Sequence, residues 1–410
     1  MSAELEAAAD NPLELPPGPH GTPSPALPER QRTCPVAPMT VPSGASILTA
    51  VQYHDVRALL ASEHSSRERL CTPGMPRLAK GMSFEDVAKG VLMNLDGAAH
   101  AGQRGILKGL FTEQAAEQLR PACADIAHDL LDPVRGSEVD IVTGYALPLS
   151  SHVICQVLGV PPADYPRFHQ WSSAFLTVSA ASAETRAESY AAFQAYAASL
   201  IATHRSEPGS ELIDDLIRAE LDGRPLGDDV LINLLIMLMI AGHETTAMMI
   251  SRGVLRLLLH PEQYQALVND RQLIAPAVEE ILRFDGPGSS GLLRYLTAQV
   301  ELPSGTTVGA ETAVLPHLWY ANHCPHAFPE PGRFDIRRYA GDTPARPHLA
   351  FGHGRHFCLG RALGRMVLQE ALRALILVAP NIRPAVALDD IPWSGDALNQ
   401  QPIRLPVVLT

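Results

Sequence analysis

Between Pro225 and Pro261 runs LGDDVLINLLIMLMIAGHETTAMMISRGVLRLLLH, Leu226 to His260, without a single proline. Proline breaks helix interiors, so a proline-free run bounded by prolines is where one long helix can form. Its apolar residues are too many for a helix half in water and call for one wrapped by protein. At 1.5 Å per residue it would reach roughly 50 Å. Asp228 or Asp229 stands where an N-cap belongs. We therefore expect a single long helix at the centre of the fold.

The rest of the chain fits such a core. From about 110 to 275, stretches such as FTEQAAEQLRPACADIAHDLLDPV and AESYAAFQAYAASLIATHRS place apolar residues at three- and four-residue spacing. ASILTAVQYHDVRALLAS reads as a short strand and a helix, PAVEEILRF and LGRALGRMVLQEALRALILVA as helices, and RYLTAQVELPSGTTVGAETAVLP as a small sheet. The fold class is mainly α with a small β portion towards the C-terminal half. Residues 1 to about 40 are rich in Pro, Ala and Gly and form no regular structure alone. We take 1–35 as a disordered or surface-lying tail and 36–410 as one large helical domain with a minor β-sheet region. With 410 residues, 46% of them hydrophobic, the chain can bury a large core.

Composition also excludes partners. A formal net charge of −12 argues against a general binder of nucleic acid or anionic membranes. The six cysteines contain no C-x-x-C pair, so neither a disulfide scaffold nor a zinc ribbon is expected. MSAELEAAADNPLELPPGPHG lacks the basic and apolar regions of a signal peptide, and LLIMLMIAG, the longest apolar run, ends at His243 and Glu244. A cytoplasmic location is expected.

Two stretches carry chemistry. In AGHETT, Gly242 is a poor mid-helix residue and Glu244 a costly one inside an apolar run, so each needs a reason. A surface-facing Glu beside a Gly kink is one answer. In FGHGRHFCLGRALGR, Cys358 lies among glycines just before a helical pattern, where the helix dipole and amide N–H groups would favour a thiolate. That suits a metal-ligating thiolate. A buried structural cysteine, or zinc held by His353, His356 and Cys358, are the competing readings.

FGHGRHFCLG resembles the heme-binding signature of the cytochrome P450 family, Phe-Gly-x-Gly-x-His-x-Cys-x-Gly, at every fixed position. AGHETT resembles the same family's oxygen-activation sequence. The resemblance implies the cytochrome P450 fold and heme b, iron protoporphyrin IX, with Cys358 as its thiolate ligand. It implies that Phe351 packs beside the ligand, that Gly352, Gly354 and Gly360 clear room for the porphyrin, and that His356, His100, Arg104 and Arg294 face the propionates. Ala241 and Gly242 would leave space for dioxygen, Thr245 would hydrogen-bond it, and Glu244 would relay protons. Glu280 and Arg283 match the family's Glu-x-x-Arg pair, with Arg333 as the third member of a buried trio. The Pro usual near Ala98 is missing, NHCP stands where NRDP is common, Gly364 replaces the usual Ala, and FDGPGSSGLLRYLT is rich in Gly and Ser.

The reaction implied is insertion of one oxygen atom from O2 into a mid-sized, mostly apolar organic substrate, in tailoring of a secondary metabolite. Oxidative coupling without oxygen insertion and a non-catalytic heme sensor are the alternatives. The segments 75–95, Met237–Ala241, Gly288–Leu293 and Leu398–Gln401 would line the pocket. No flavin or nicotinamide motif follows Cys358, so electrons are expected from a separate ferredoxin and ferredoxin reductase. Arg355, Arg361, Arg365 and Lys108 would form their basic docking patch, unless they are only a solvated charged face. The working state is expected to be a monomer.

Overall fold

The run between the two prolines is one helix, Asp228–Leu259. Its first turn differs from the expectation in detail. The Gly227 carbonyl accepts from Val230 N and Leu231 N, so Asp228 is already helical. Both aspartates therefore favour the positive end of the helix from inside its first turn, and Asp228 also pairs with Arg205 at 2.6 Å. Pro261 disfavours helical geometry at His260, where the helix ends (φ −131°, ψ 66°).

The computed structural model describes residues 18–41, 43–78, 90–165, 167, 171, 183–286, 292–341, 345–394 and 401–410. Among them the helices are α1 (Leu27–Thr33), α2 (Tyr53–Ala61), α3 (Gly97–Leu110), α4 (Glu113–Leu131), α5 (Leu147–Leu158), α6 (Ala183–Ser206), α7 (Leu212–Arg218), α8 (Asp228–Leu259), α9 (Pro261–Asn269), α10 (Ile274–Asp285), α11 (Leu318–Ala321) and α12 (Arg361–Val378). The strands are β1 (Val36–Thr40), β2 (Ser46–Ala50), β3 (Ser65–Ser66), β4 (Glu138–Asp140), β5 (Glu220–Leu221), β6 (Arg224–Pro225), β7 (Arg294–Leu296), β8 (Val300–Glu301), β9 (Thr307–Val308), β10 (Thr312–Pro316), β11 (Arg383–Pro384) and β12 (Pro406–Val408). They divide between two compact units. One takes Met1–Lys80, Arg252–Cys358 and Val386–Ile403, the other Gly81–Ser251, Leu359–Ala385 and Arg404–Thr410.

The first unit holds a five-stranded sheet of order β1-β2-β10-β7-β3, in which only β10 and β2 run parallel. Three of its strands come from before residue 67, so the sheet is not confined to the C-terminal half. Tyr53, Val56, Leu59 and Phe328 pack beneath it. Regular structure begins earlier than composition suggests, at Leu27. Tertiary contacts supply what local propensity does not: Arg30 donates to the Ala37 carbonyl, and Gln31 to those of Val51 and Tyr320.

Two buried ionic clusters, both reaching α10, stand out among this unit's buried charges. Arg252 and Arg256, on α8, share Asp285 at 3.0 and 2.9 Å, and they also donate to the Gly21 and His20 carbonyls. Glu280 and Arg283 of α10 form a fully buried ion pair at 2.7 Å. Its third member is Arg338, whose Nε lies 3.1 Å from Glu280, and not Arg333. The Arg333 side chain is 62% exposed and turns to Glu330 and Asp335, while its backbone carbonyl accepts from Arg283 and Arg338.

In the second unit the apolar face of α8, Leu231 to Ile240, packs with Ile154, Leu158, Phe193, Ile213 and Leu216. By length and composition α8 could cross a membrane, but these side chains are covered by protein. Helices α4 and α12 are tied by Arg120, which pairs with Glu370, and Tyr145 donates to the Ala371 carbonyl at 2.7 Å. Strands β11, β12 and β4 form a small antiparallel sheet.

Arg338→Ala should lower stability by about 2–3 kcal/mol, less than a fully orphaned buried charge because Arg283 still faces Glu280. Arg333→Ala should cost less than about 1 kcal/mol, as for other exposed pairs. Urea midpoints of the two variants check this, and equal losses would place the third member back at Arg333.

Candidate functional site

The cysteine loop belongs to the first unit, and the side chains of Tyr53 and Asn322 hold its approach. Tyr53 Oη donates to the Pro347 carbonyl at 2.6 Å, and Leu349 N donates to Asn322 Oδ1 at 2.7 Å. The loop then closes on itself: Gly352 N donates to the Leu349 carbonyl and Cys358 N to the Phe351 carbonyl, each at 2.8 Å. Phe351 and Cys358 are thereby brought together, as the motif implies. Cys358 is half-buried and stands shortly before α12 opens at Arg361.

The glycines divide by role. Gly352 and Gly354 both have φ +73°, which favours glycine. A side chain on Gly354 would begin 2.3 Å from the Leu60 carbonyl oxygen, so this glycine lets the loop pack against α2 rather than clearing a ring. A side chain on Gly352 would meet nothing nearer than 4.0 Å, and one on Gly360 nothing within 4 Å. Phe351, Phe357 and Cys358 are half-buried. A lone thiol between two part-exposed aromatic side chains, beside open glycines, fits a flat apolar ligand with one metal position.

The zinc alternative fails on the same geometry. His353 Nε2 accepts from Arg57 at 3.5 Å. Among the described residues the one three-ligand group within metal reach is His204, Glu211 and Asp214, which excludes Cys358.

Arg294, on β7, is buried and donates to the carbonyls of Leu292 and Leu293. In the second unit His100 is buried and Arg104 half-buried, one turn apart on α3. The propionate candidates thus fall as Arg294 and His356 in one unit, His100 and Arg104 in the other.

On α8, Thr245 Oγ1 donates to the Ala241 carbonyl at 2.7 Å, a back-bond that ties the AGHETT turn together. Ala241 is exposed, although Ile240 before it is buried. Gly242 has a different role from the one expected: its missing Cβ would lie 2.7 Å from Ile154 Cδ1, so it admits α5 and does not clear space for a ligand. Glu244 has no hydrogen bond or ion pair to another described residue, and burial pushes its carboxyl up to about 7. It is not a surface glutamate.

Comparison with known proteins agrees with these two motifs. A family description, Cytochrome P450, matches residues 166–377. The mycinamicin IV hydroxylase/epoxidase of Micromonospora griseorubida is 36% identical over 93% of this chain and 94% of its own. The chain belongs to the cytochrome P450 family. The nocardicin C N-oxygenase of Nocardia uniformis subsp. tsuyamanensis is 35% identical over 91% and 92%. Among solved structures, the LnmA cytochrome P450 hydroxylase from the leinamycin pathway of Streptomyces atroolivaceus superposes with TM-score 0.85 at 34% identity, covering 94% of this chain and 96% of that one. This P450 is an oxidoreductase with heme, iron protoporphyrin IX, as its cofactor and a monooxygenase at family level.

Of the expected pocket segments, Met237 to Ile240 are buried in the second unit's core. Residues 79–89, 287–291 and 395–400 lie outside the described residues. Arg338 was missed because FDIRR offers three charged residues within one turn-rich stretch, and sequence spacing gives no side-chain direction.

Gly242→Ala should overpack against Ile154 and cost about 1–2 kcal/mol after the helix-propensity gain, and Ile154→Ala in the same chain should recover part of that. Thermal unfolding of the three variants tests it. Glu244 gives a pH signature of known sign. A carboxyl raised in the fold contributes most below its ordinary value near 4.5, and that contribution is lost as pH rises through about 7. Glu244→Gln should therefore gain stability relative to wild type between pH 5 and 8, by about 1–3 kcal/mol at the upper end. An unchanged difference across that range would show Glu244 to be solvated.

Proposed function

We propose that this P450 inserts one oxygen atom from O2 into a mid-sized, mostly apolar organic substrate during the tailoring of a secondary metabolite. The observation that carries the reading is the Phe351–Cys358 loop, a single half-buried thiol fixed by backbone bonds and part-exposed aromatic residues. The tailoring role is supported by the relatives, named for mycinamicin IV and nocardicin C.

In this reading Cys358 holds the heme iron, and His100, Arg104, Arg294 and His356 face the propionates. Bound heme supplies the activation of dioxygen. The rest is the protein's own. Ala241, being small, would leave space for dioxygen. Thr245 keeps its hydroxyl proton on the Ala241 carbonyl, one turn away, and can turn it towards a ligand. Glu244, its carboxyl pushed up to about 7 by burial, exchanges between protonated and ionised forms around neutral pH, which suits a relay to solvent. A complete AGHETT turn with a neutral-range carboxyl favours turnover over passive heme carriage.

Electrons reach such an enzyme, in our reading, from a separate ferredoxin and its reductase in the cytoplasm. One of the docking cations first expected is engaged elsewhere, and Arg361, Arg365 and Lys108 stay in the proposal. Arg355 donates to the carbonyls of Ser62 and Ser65 and is largely spent on the fold. Arg57 and Arg346 flank the Tyr53 ring at 5.7 and 5.6 Å, touch His353 and His54, and pair with no carboxylate among the described residues. On a chain of net charge −12 such a pair suits an acidic carrier.

Reduced, CO-bound protein should show the red-shifted Soret band of thiolate ligation, and Cys358→Ala should abolish it. An imidazole-type band in the wild type would overturn the reading. Arg57→Glu with Arg346→Glu should slow reduction by a surrogate ferredoxin roughly tenfold at low salt and much less at high salt. A salt-independent rate equal to wild type would exclude these residues from docking.

A further inference from the structure

His348 lies ten residues before Cys358, with a side chain 2% exposed, and no motif accounts for it. Ala350 N donates to its Nδ1 at 3.1 Å. A backbone N–H can only donate, so Nδ1 is the acceptor and the ring proton sits on Nε2. Nε2 lies 3.2 Å from Glu279 Oε2 and donates to that carboxylate. The ring is further held by the edge of Tyr339 at 6.1 Å and by Phe351 at 5.9 Å. Glu279 is on α10, immediately before Glu280.

Two adjacent carboxylates of one helix therefore reach two adjacent residues of the loop by separate routes. Glu280 binds Arg283, Arg283 donates to the Asn322 carbonyl, and Asn322 Oδ1 accepts from Leu349 N. Glu279 accepts a hydrogen bond from His348 Nε2–H, and His348 Nδ1 accepts one from Ala350 N. Past that bond, the Phe351 carbonyl receives Cys358 N. The loop is gripped at residues 348, 349 and 350 before it turns.

We propose that Glu279 and His348 form a positioning dyad for the Cys358 thiolate: the carboxylate fixes the imidazole tautomer, and the imidazole fixes the backbone that aims the sulfur. Both act through the loop backbone, as positioning residues. Fixing a tautomer through a carboxylate is how orienting groups act on histidines elsewhere. The inference rests on Cys358 being the iron ligand.

The test uses heme-loaded protein and four variants. His348→Asn keeps an oxygen able to cap Ala350 N but cannot reach Glu279, Glu279→Ala removes the same link from the other end, and Glu279→Gln retains an acceptor of the same size. The double variant Glu279→Ala/His348→Asn closes the cycle. Loss of a charge-assisted hydrogen bond should make Glu279→Ala and His348→Asn lose the thiolate-type Soret band of the CO complex about tenfold faster than wild type. The double variant should be no worse than either single one, and Glu279→Gln should fall near wild type. Both single variants should also shift the heme reduction potential in the same direction, which a general loss of stability would not do. Rates and potentials equal to wild type in both, with the wild-type band intact, overturn the dyad. A wild type without the thiolate band overturns the cysteine reading and the dyad with it.

Discussion

A buried carboxylate on α10 organises the first unit. Glu280 and its partner Arg283 have no exposed side-chain surface, a costly placement that persists because every remaining donor of Arg283 finds a carbonyl. Those carbonyls belong to Asn322, Pro331 and Arg333, so one guanidinium sets the path of the irregular chain between α11 and the cysteine loop. Asn322 then passes the constraint on through Leu349, and the loop's own bonds carry it to Cys358. An irregular segment with few strands and helices of its own thus acquires the rigidity that the proposed metal ligand would need. Apolar packing could not do this, since it has no direction.

What the sequence made legible were residue types at fixed offsets. The proline-free run set α8, and two short motifs with nearly every position filled identified the family. Direction was not legible. Gly242 and Gly354 sit inside motifs that invite a ligand-clearing role, yet each is needed where a helix comes close, α5 at Ile154 and α2 at Leu60. A glycine's spacing states only that no side chain fits. Which neighbour forbids it depends on residues far away in the chain. The same holds for Arg333 and Arg338, five apart in a segment with no periodicity.

The start of the chain was under-read for another reason. Residues 18 to 33 have the composition of a tail, but Arg252 stacks between Trp319 and Trp393 while donating to the Gly21 carbonyl. Gly21 lies against Trp393 so closely that a Cβ would overlap the ring at 2.4 Å. Two arginines face one Asp285, and backbone carbonyls of His20 and Gly21 take the donors left over. Local propensity could not foresee this, because the partners are more than two hundred residues away.

Helix α8 shows where the fold yields to chemistry. Its first half is as apolar as a core helix can be, and the cheapest continuation past Ile240 would be more of the same. Instead come an exposed alanine, a glycine and, two residues on, a half-buried glutamate with no partner among the described residues. Each lowers helix or core stability relative to leucine, and packing accounts for only the glycine. A carboxyl held near neutrality stabilises nothing in the fold, a cost that the proposed proton relay would account for. Thr245, tied back to the Ala241 carbonyl, keeps a donor in the same turn with its hydroxyl paired. In the proposed relay the turn would carry a proton source and a movable donor one residue apart, on a helix that is otherwise largely buried.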